Sequence, residues 1–113
     1  MFTKKFDLDT IYPLSAETLI KISSIAEPEI KIFALESVGM ILSQFFSHLN
    51  SNSFNDVTEA ISFLHELMEG KIERLTLMYN GLTQEEMRSK SDYQKTASAI
   101  YNMVGYIQFR ICM

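Results

Sequence analysis

The apolar residues of this chain recur at steps of three and four along nearly its whole length. That spacing gathers them on one face of an α-helix, which turns once in about 3.6 residues, and does not suit the two-residue alternation of a half-buried strand. The chain is therefore predicted to be all-α. We expect a single domain over residues 1–113, with four to six helices around a central buried helix at about 28–49. The 47% hydrophobic content is ample for a core. A chain of this size buries about two-thirds of its unfolded surface without help from a metal or a disulfide. Cys112 is the only cysteine. It cannot form an intrachain disulfide, which agrees with a reducing, cytoplasmic setting.

Residues 1–14 carry Phe2, Phe6, Leu8, Ile11 and Tyr12 without a clean period and read as an arm ended by Pro13. A first helix is expected from Ser15, whose hydroxyl can cap the first amides. Leu14 and Leu19 have the spacing of a hydrophobic staple, and Leu19, Ile22, Ile25 and Ala26 form one face. Pro28 suits the first position of the next helix, where its missing amide costs nothing. That helix has one stripe in Ile30, Phe33, Ala34, Val38, Ile41, Leu42, Phe45 and Leu49. A second apolar set, Ile32, Leu35, Gly39 and Phe46, covers an adjoining face. A helix apolar over most of its circumference is expected at the centre of the fold or against a partner chain.

A third helix follows the polar stretch 50–53, with Ser53 or Asn55 as its cap. Its stripe is Val57, Ile61, Leu64, Met68, Ile72, Leu75 and Tyr79, and it is expected to run through Gly70 and end at Asn80-Gly81. Thr83 and Glu86 have the spacing of a capping box, and Leu82 and Met87 that of a staple. They predict a short helix to about Lys90. Ser91 is expected to cap the last helix, roughly 92–111, with its buried stripe in Tyr93, Ala97, Ile100, Val104, Ile107 and Ile111.

Charge and motifs exclude more than they assign. Fourteen acidic residues against ten basic ones leave a net charge of −4. A phosphate-binding surface needs a basic stripe, so no nucleic-acid partner is expected. No secretory leader is legible, because Asp7 and Asp9 stand where an apolar run is required. The most apolar stretch, 32–49, holds Glu36, Gln44 and His48 and reads as a core helix, so no membrane partner is expected. The segment His65-Glu66-Leu67-Met68-Glu69 resembles a zincin helix, but Glu69 stands where the second histidine belongs. Glu66 and Glu69 also resemble half of the magnesium site of all-helical nucleotide pyrophosphohydrolases. The downstream carboxylate pair is missing, since Arg88 and Ser89 follow Glu85 and Glu86 at that spacing. Cys112 has no histidine near it in sequence to serve as a base. The chain has no glycine-rich phosphate loop. No catalytic residue, cofactor or metal site is expected.

What remains is a row of carboxylates. Glu59, Glu66 and Glu73 are seven apart and share one face of the third helix, with Asp56 and Glu69 beside it. The face turns away from the Ile61–Leu64–Met68 stripe, with Lys71 and Arg74 near it. Such a row is either a solvated outer wall or a surface that steers and registers a basic partner. Phe46, Phe63, Tyr101, Tyr106 and Phe109 fall off the main stripes and belong either to the core or to an interface. The leading expectation is a non-enzymatic protein-binding protein. Within that class it is a small acidic inhibitor, a bacterial or phage immunity protein or antitoxin that neutralises a basic toxin such as a nuclease. Asp56, Glu59, Glu66, Glu69 and Glu73 would be its contact residues. The second reading is a self-associating structural or regulatory subunit, a homodimer for instance. The third is a metal-dependent helical enzyme built on Glu66, Glu69, Glu73 and His65.

Overall fold

The computed structural model describes residues 8–51 and 53–112. They form α1 (Leu8–Ser23), α2 (Pro28–Asn50), α3 (Val57–Met78), α4 (Gln84–Arg88) and α5 (Ser91–Cys112), and the described residues contain no strand. The fold is all-α, as the periodicity predicts.

Helix α5 meets each of the other four, while α2 touches α1, α3 and α5. Ile30, Ala34, Val38, Ile41 and Phe45 of α2 enter the core, opposite Ala60, Leu64 and Leu75 of α3 and Ile100, Met103, Val104 and Ile107 of α5. The second apolar set of α2 behaves differently from expectation. Ile32 is 55% exposed and Leu35 44%, with Gly39 exposed and Phe46 half-buried. Helix α2 is thus central on one side and open on the other, and α5 is the hub. The reason lies in the numbers of neighbours: three helices cannot surround a fourth, and the core claimed the face that leads from Ile30 to Leu49.

Helix α1 begins before its expected start. It is continuous from Leu8 through Pro13 and Ser15, so Ser15 is an interior residue and not a cap. Residues 1–7 of the expected arm lie outside the described residues. An interior proline forfeits a hydrogen bond to the residue four earlier at a cost of about 3 kcal/mol. Packing of α1 along α5 outweighs that local penalty. The buried face of α1 is Thr18 and Ile22, continued by Ile25, while Leu19 is half exposed and Ala26 is exposed.

Asp56 caps α3, rather than Ser53 or Asn55; its carboxylate accepts the Glu59 amide at 2.8 Å. The helix runs unbroken through Gly70, as expected. Gly81, with φ of 95°, makes the turn that follows in a backbone region open to glycine. Thr83 and Glu86 form the capping box read from the sequence: Glu86 donates its amide to Thr83 Oγ1 at 3.1 Å, and Thr83 donates its amide to Glu86 Oε1 at 3.2 Å. Bonds from Thr83, side chain first and then amide, hold the Glu86 carboxyl below its ordinary pKa. Met87 is buried beneath this turn.

Two contacts unannounced by any periodic pattern tie the ends of the bundle. Lys21 donates to Ser98 Oγ at 3.2 Å and Lys95 to the Ser24 carbonyl at 2.8 Å, pinning α1 to α5. Phe54, in the α2–α3 connection, is buried and stacks on Phe45 with ring centroids 5.8 Å apart.

Candidate protein-binding face on α3

Residues on α3 step by about 100° around the helix axis. Ala60, Leu64, Met68 and Leu75 therefore share the side pressed into the core. Glu59, Glu66 and Glu73 project on the opposite side, with Glu69 next to them, and all four are exposed. The carboxylate row inferred from the seven-residue spacing is thus brought together on one outer wall.

Its members are not equivalent. Asp56 is exposed but occupied as the cap of α3. Glu59 Oε2 accepts the Asn55 amide at 3.3 Å, so it also serves the start of the helix. Negative charge there complements the positive end of the helix dipole. Glu66, Glu69 and Glu73 have no such local task. Lys71 and Arg74, expected to soften the row, instead line a groove between α2 and α3 of about 540 Å3 that Glu66 borders together with Glu36. Lys71 lies 3.5 Å from the Met40 sulfur. Among the described residues none of these carboxylates is ion-paired with either cation.

The N-terminal half of the wall carries an aromatic edge that the spacing argument missed. His48 of α2 packs on Phe63 of α3 with ring centroids 4.4 Å apart, and on Phe54 at 6.0 Å. Glu59 and Glu66 border the same depression of about 420 Å3 as His48, Phe54 and Phe63. A signal was present in the sequence, since Phe63 falls off the core stripe. Its meeting with His48 depends on how α2 and α3 pair. The other off-stripe aromatics divide: Phe46 and Tyr106 are half-buried, while Tyr101 is 50% and Phe109 62% exposed.

The histidine suggested for a metal site is engaged elsewhere. His65 Nε2 lies 2.7 Å from Gln108 Oε1, so the ring of α3 is bonded to α5. With the amide oxygen as acceptor, the imidazole donates through Nε2. Among the described residues no three His, Cys, Asp or Glu side chains gather closely enough to hold an ion. Cys112 is exposed at the end of α5.

No protein-family model, curated protein or solved structure matches this chain.

Proposed function

We propose that this chain is a non-enzymatic protein-binding protein, a small acidic inhibitor of the immunity-protein or antitoxin kind. It would act in the cytoplasm on a basic partner such as a nuclease toxin. The observation that carries the reading is the outer wall of α3, where Glu59, Glu66, Glu69 and Glu73 are all exposed and lack ion pairs within the described chain. Unpaired carboxylates in a row raise the encounter rate with a positive surface and fix its register. The His48–Phe63 edge beside Glu59 and Glu66 adds a stacking surface for an arginine, whose planar cation pairs with carboxylates and lies on aromatic rings.

The test begins with capture of the partner from the native host on the immobilised protein. The affinity of that partner is then measured for the wild type and for the triple variant Glu59→Lys, Glu66→Lys, Glu73→Lys across a range of salt concentrations. We expect the variant to lose affinity by at least about a hundredfold, following 1–3 kcal/mol for each reversed contact, and to lose the salt dependence of association. A captured partner that binds wild type and variant alike would remove the α3 wall from the interface.

A further inference from the structure

The groove between α2 and α3 holds charges of both signs that do not neutralise one another. Glu36 of α2 and Glu66, Lys71 and Arg74 of α3 all line its space of about 540 Å3, yet among the described residues no two of them are ion-paired. Lys71 Nζ instead lies 3.5 Å from the Met40 sulfur, a weak acceptor. Met40 and Leu67 supply apolar wall between the charges.

A buried hydroxyl lines the same groove without a partner. Ser37 is 1% exposed, and its Oγ makes no hydrogen bond. A hydroxyl inside a helix ordinarily bonds a carbonyl one turn back, as Thr76 of α3 does to Ile72 at 3.0 Å. Ser37 does not, and an unpaired buried hydroxyl is a cost to the fold. Two contacts place it. His48 meets Phe63, and Met40 meets Lys71, so α2 and α3 run antiparallel and each step back along α2 is a step forward along α3. The same register sets Ser37 opposite Arg74. Lys71, three residues from Arg74, is its neighbour on one helix face. Glu66 lies five residues from Lys71 in the other direction, about 7.5 Å along the axis.

We propose that this groove binds a small ω-amino acid, with one carboxylate held by Arg74, Lys71 and Ser37, a short methylene chain along Met40 and Leu67, and an ammonium at Glu66. The guanidinium fork matches a carboxylate, and the lysine adds a point charge. Ser37 donates its free proton to the same carboxylate once the unbranched Met40 side chain, which repacks readily, swings aside. Glu36, next to Ser37, adds negative charge at that end and disfavours a doubly charged head such as phosphate. The site goes beyond the proposed inhibitor role. It shares only Glu66 with the α3 carboxylate wall, and its ligand is measured on the chain alone, with no protein partner present.

Calorimetric titration of the full chain with 6-aminohexanoate should show saturable binding with a dissociation constant of about 1 mM or below. Hexanoate and hexylamine, each carrying one of the two charges, should bind at least about tenfold more weakly. Arg74→Gln and Glu66→Gln should each weaken 6-aminohexanoate to a similar degree. Ser37→Ala should also weaken it, while the thermal midpoint of the free protein is unchanged or raised, because the variant removes an unpaired hydroxyl. The rise in midpoint that saturating ligand gives the wild type should shrink in all three variants. No saturable binding of 6-aminohexanoate would overturn the proposal, as would binding indifferent to Arg74→Gln and Ser37→Ala. Hexanoate or inorganic phosphate binding as tightly as 6-aminohexanoate would make the groove a plain anion site and equally overturn it.

Discussion

Asp92 Oδ2 accepts the backbone amide of Glu27 at 2.9 Å, joining the first turn of α5 to the start of α2 across 65 residues. Its other oxygen accepts the Ala26 amide at 3.0 Å. Glu27 stands at the N-cap of α2 and its own side chain makes no capping bond, so the cap is supplied from another helix. Asp92 is buried, and its two oxygens satisfy both amides.

The bonds from Ala26 and then Glu27 hold the Asp92 carboxyl below its ordinary pKa, with Lys95 and Lys31 assisting and burial opposing. A carboxyl whose folded pKa is depressed stabilises the fold fully above its unfolded value, about 3.9. That contribution disappears as pH falls through the folded value. Unfolding free energy should therefore drop on acidification below about pH 4. Asp92→Asn, which turns an amide group towards one of the two donors, should cost about 1–3 kcal/mol near neutrality and flatten the acid limb. Urea titrations at several pH values measure both effects.

Tyr79 behaves in the opposite sense. Its hydroxyl is buried without a hydrogen-bond partner. Burial first, and then the charges of Glu27 and Asp92, push its pKa up to about 12. A raised phenol pKa leaves stability unchanged below the unfolded value, about 10, and lowers it as pH climbs from there. Alkaline titration of tyrosine absorbance should show one of the five tyrosines ionising late, and that step should vanish in Tyr79→Phe. Removing an unpaired buried hydroxyl should leave stability at neutral pH within about 1 kcal/mol of wild type.

Gly70 lies inside α3, and a Cβ there meets nothing within 4 Å. Gly70→Ala should stabilise the protein by up to about 1 kcal/mol, the helix-propensity difference. A small rise in thermal midpoint would register it; a fall would reveal an unseen constraint at the α2–α3 groove.

Phe45 is fully buried and packs against the rings of Phe46 and Phe54. Phe45→Ala should cost about 3–5 kcal/mol, because the lost transfer energy is joined by a cavity the rigid surroundings cannot close. Chemical denaturation should show a lower midpoint with an unchanged slope.

Elements set by local chemistry are legible in the sequence. Pro28 marks the first residue of α2, and the Thr83–Glu86 box forms as its spacing implies, since both partners lie within one turn. The row of Glu59, Glu66 and Glu73 was equally legible, because a seven-residue step returns to the same side of any straight helix. Pro13 misled the reading of α1, since a local penalty was outweighed by packing along α5. The place of Asp56 as the α3 cap was missed because neighbouring Ser53 and Asn55 offer the same chemistry.

The amino-acid sequence by itself determined that the chain is helical, where most helices begin, and which residues share a side of each. Tertiary packing alone decided which apolar side of α2 is covered, that α5 is the hub, that His48 meets Phe63, and that Asp92 caps a helix 65 residues away. The physical reason is range. Periodicity and capping act within a turn or two of one helix, whereas a buried side is chosen by which helices pair, and its residues carry no local mark of that choice.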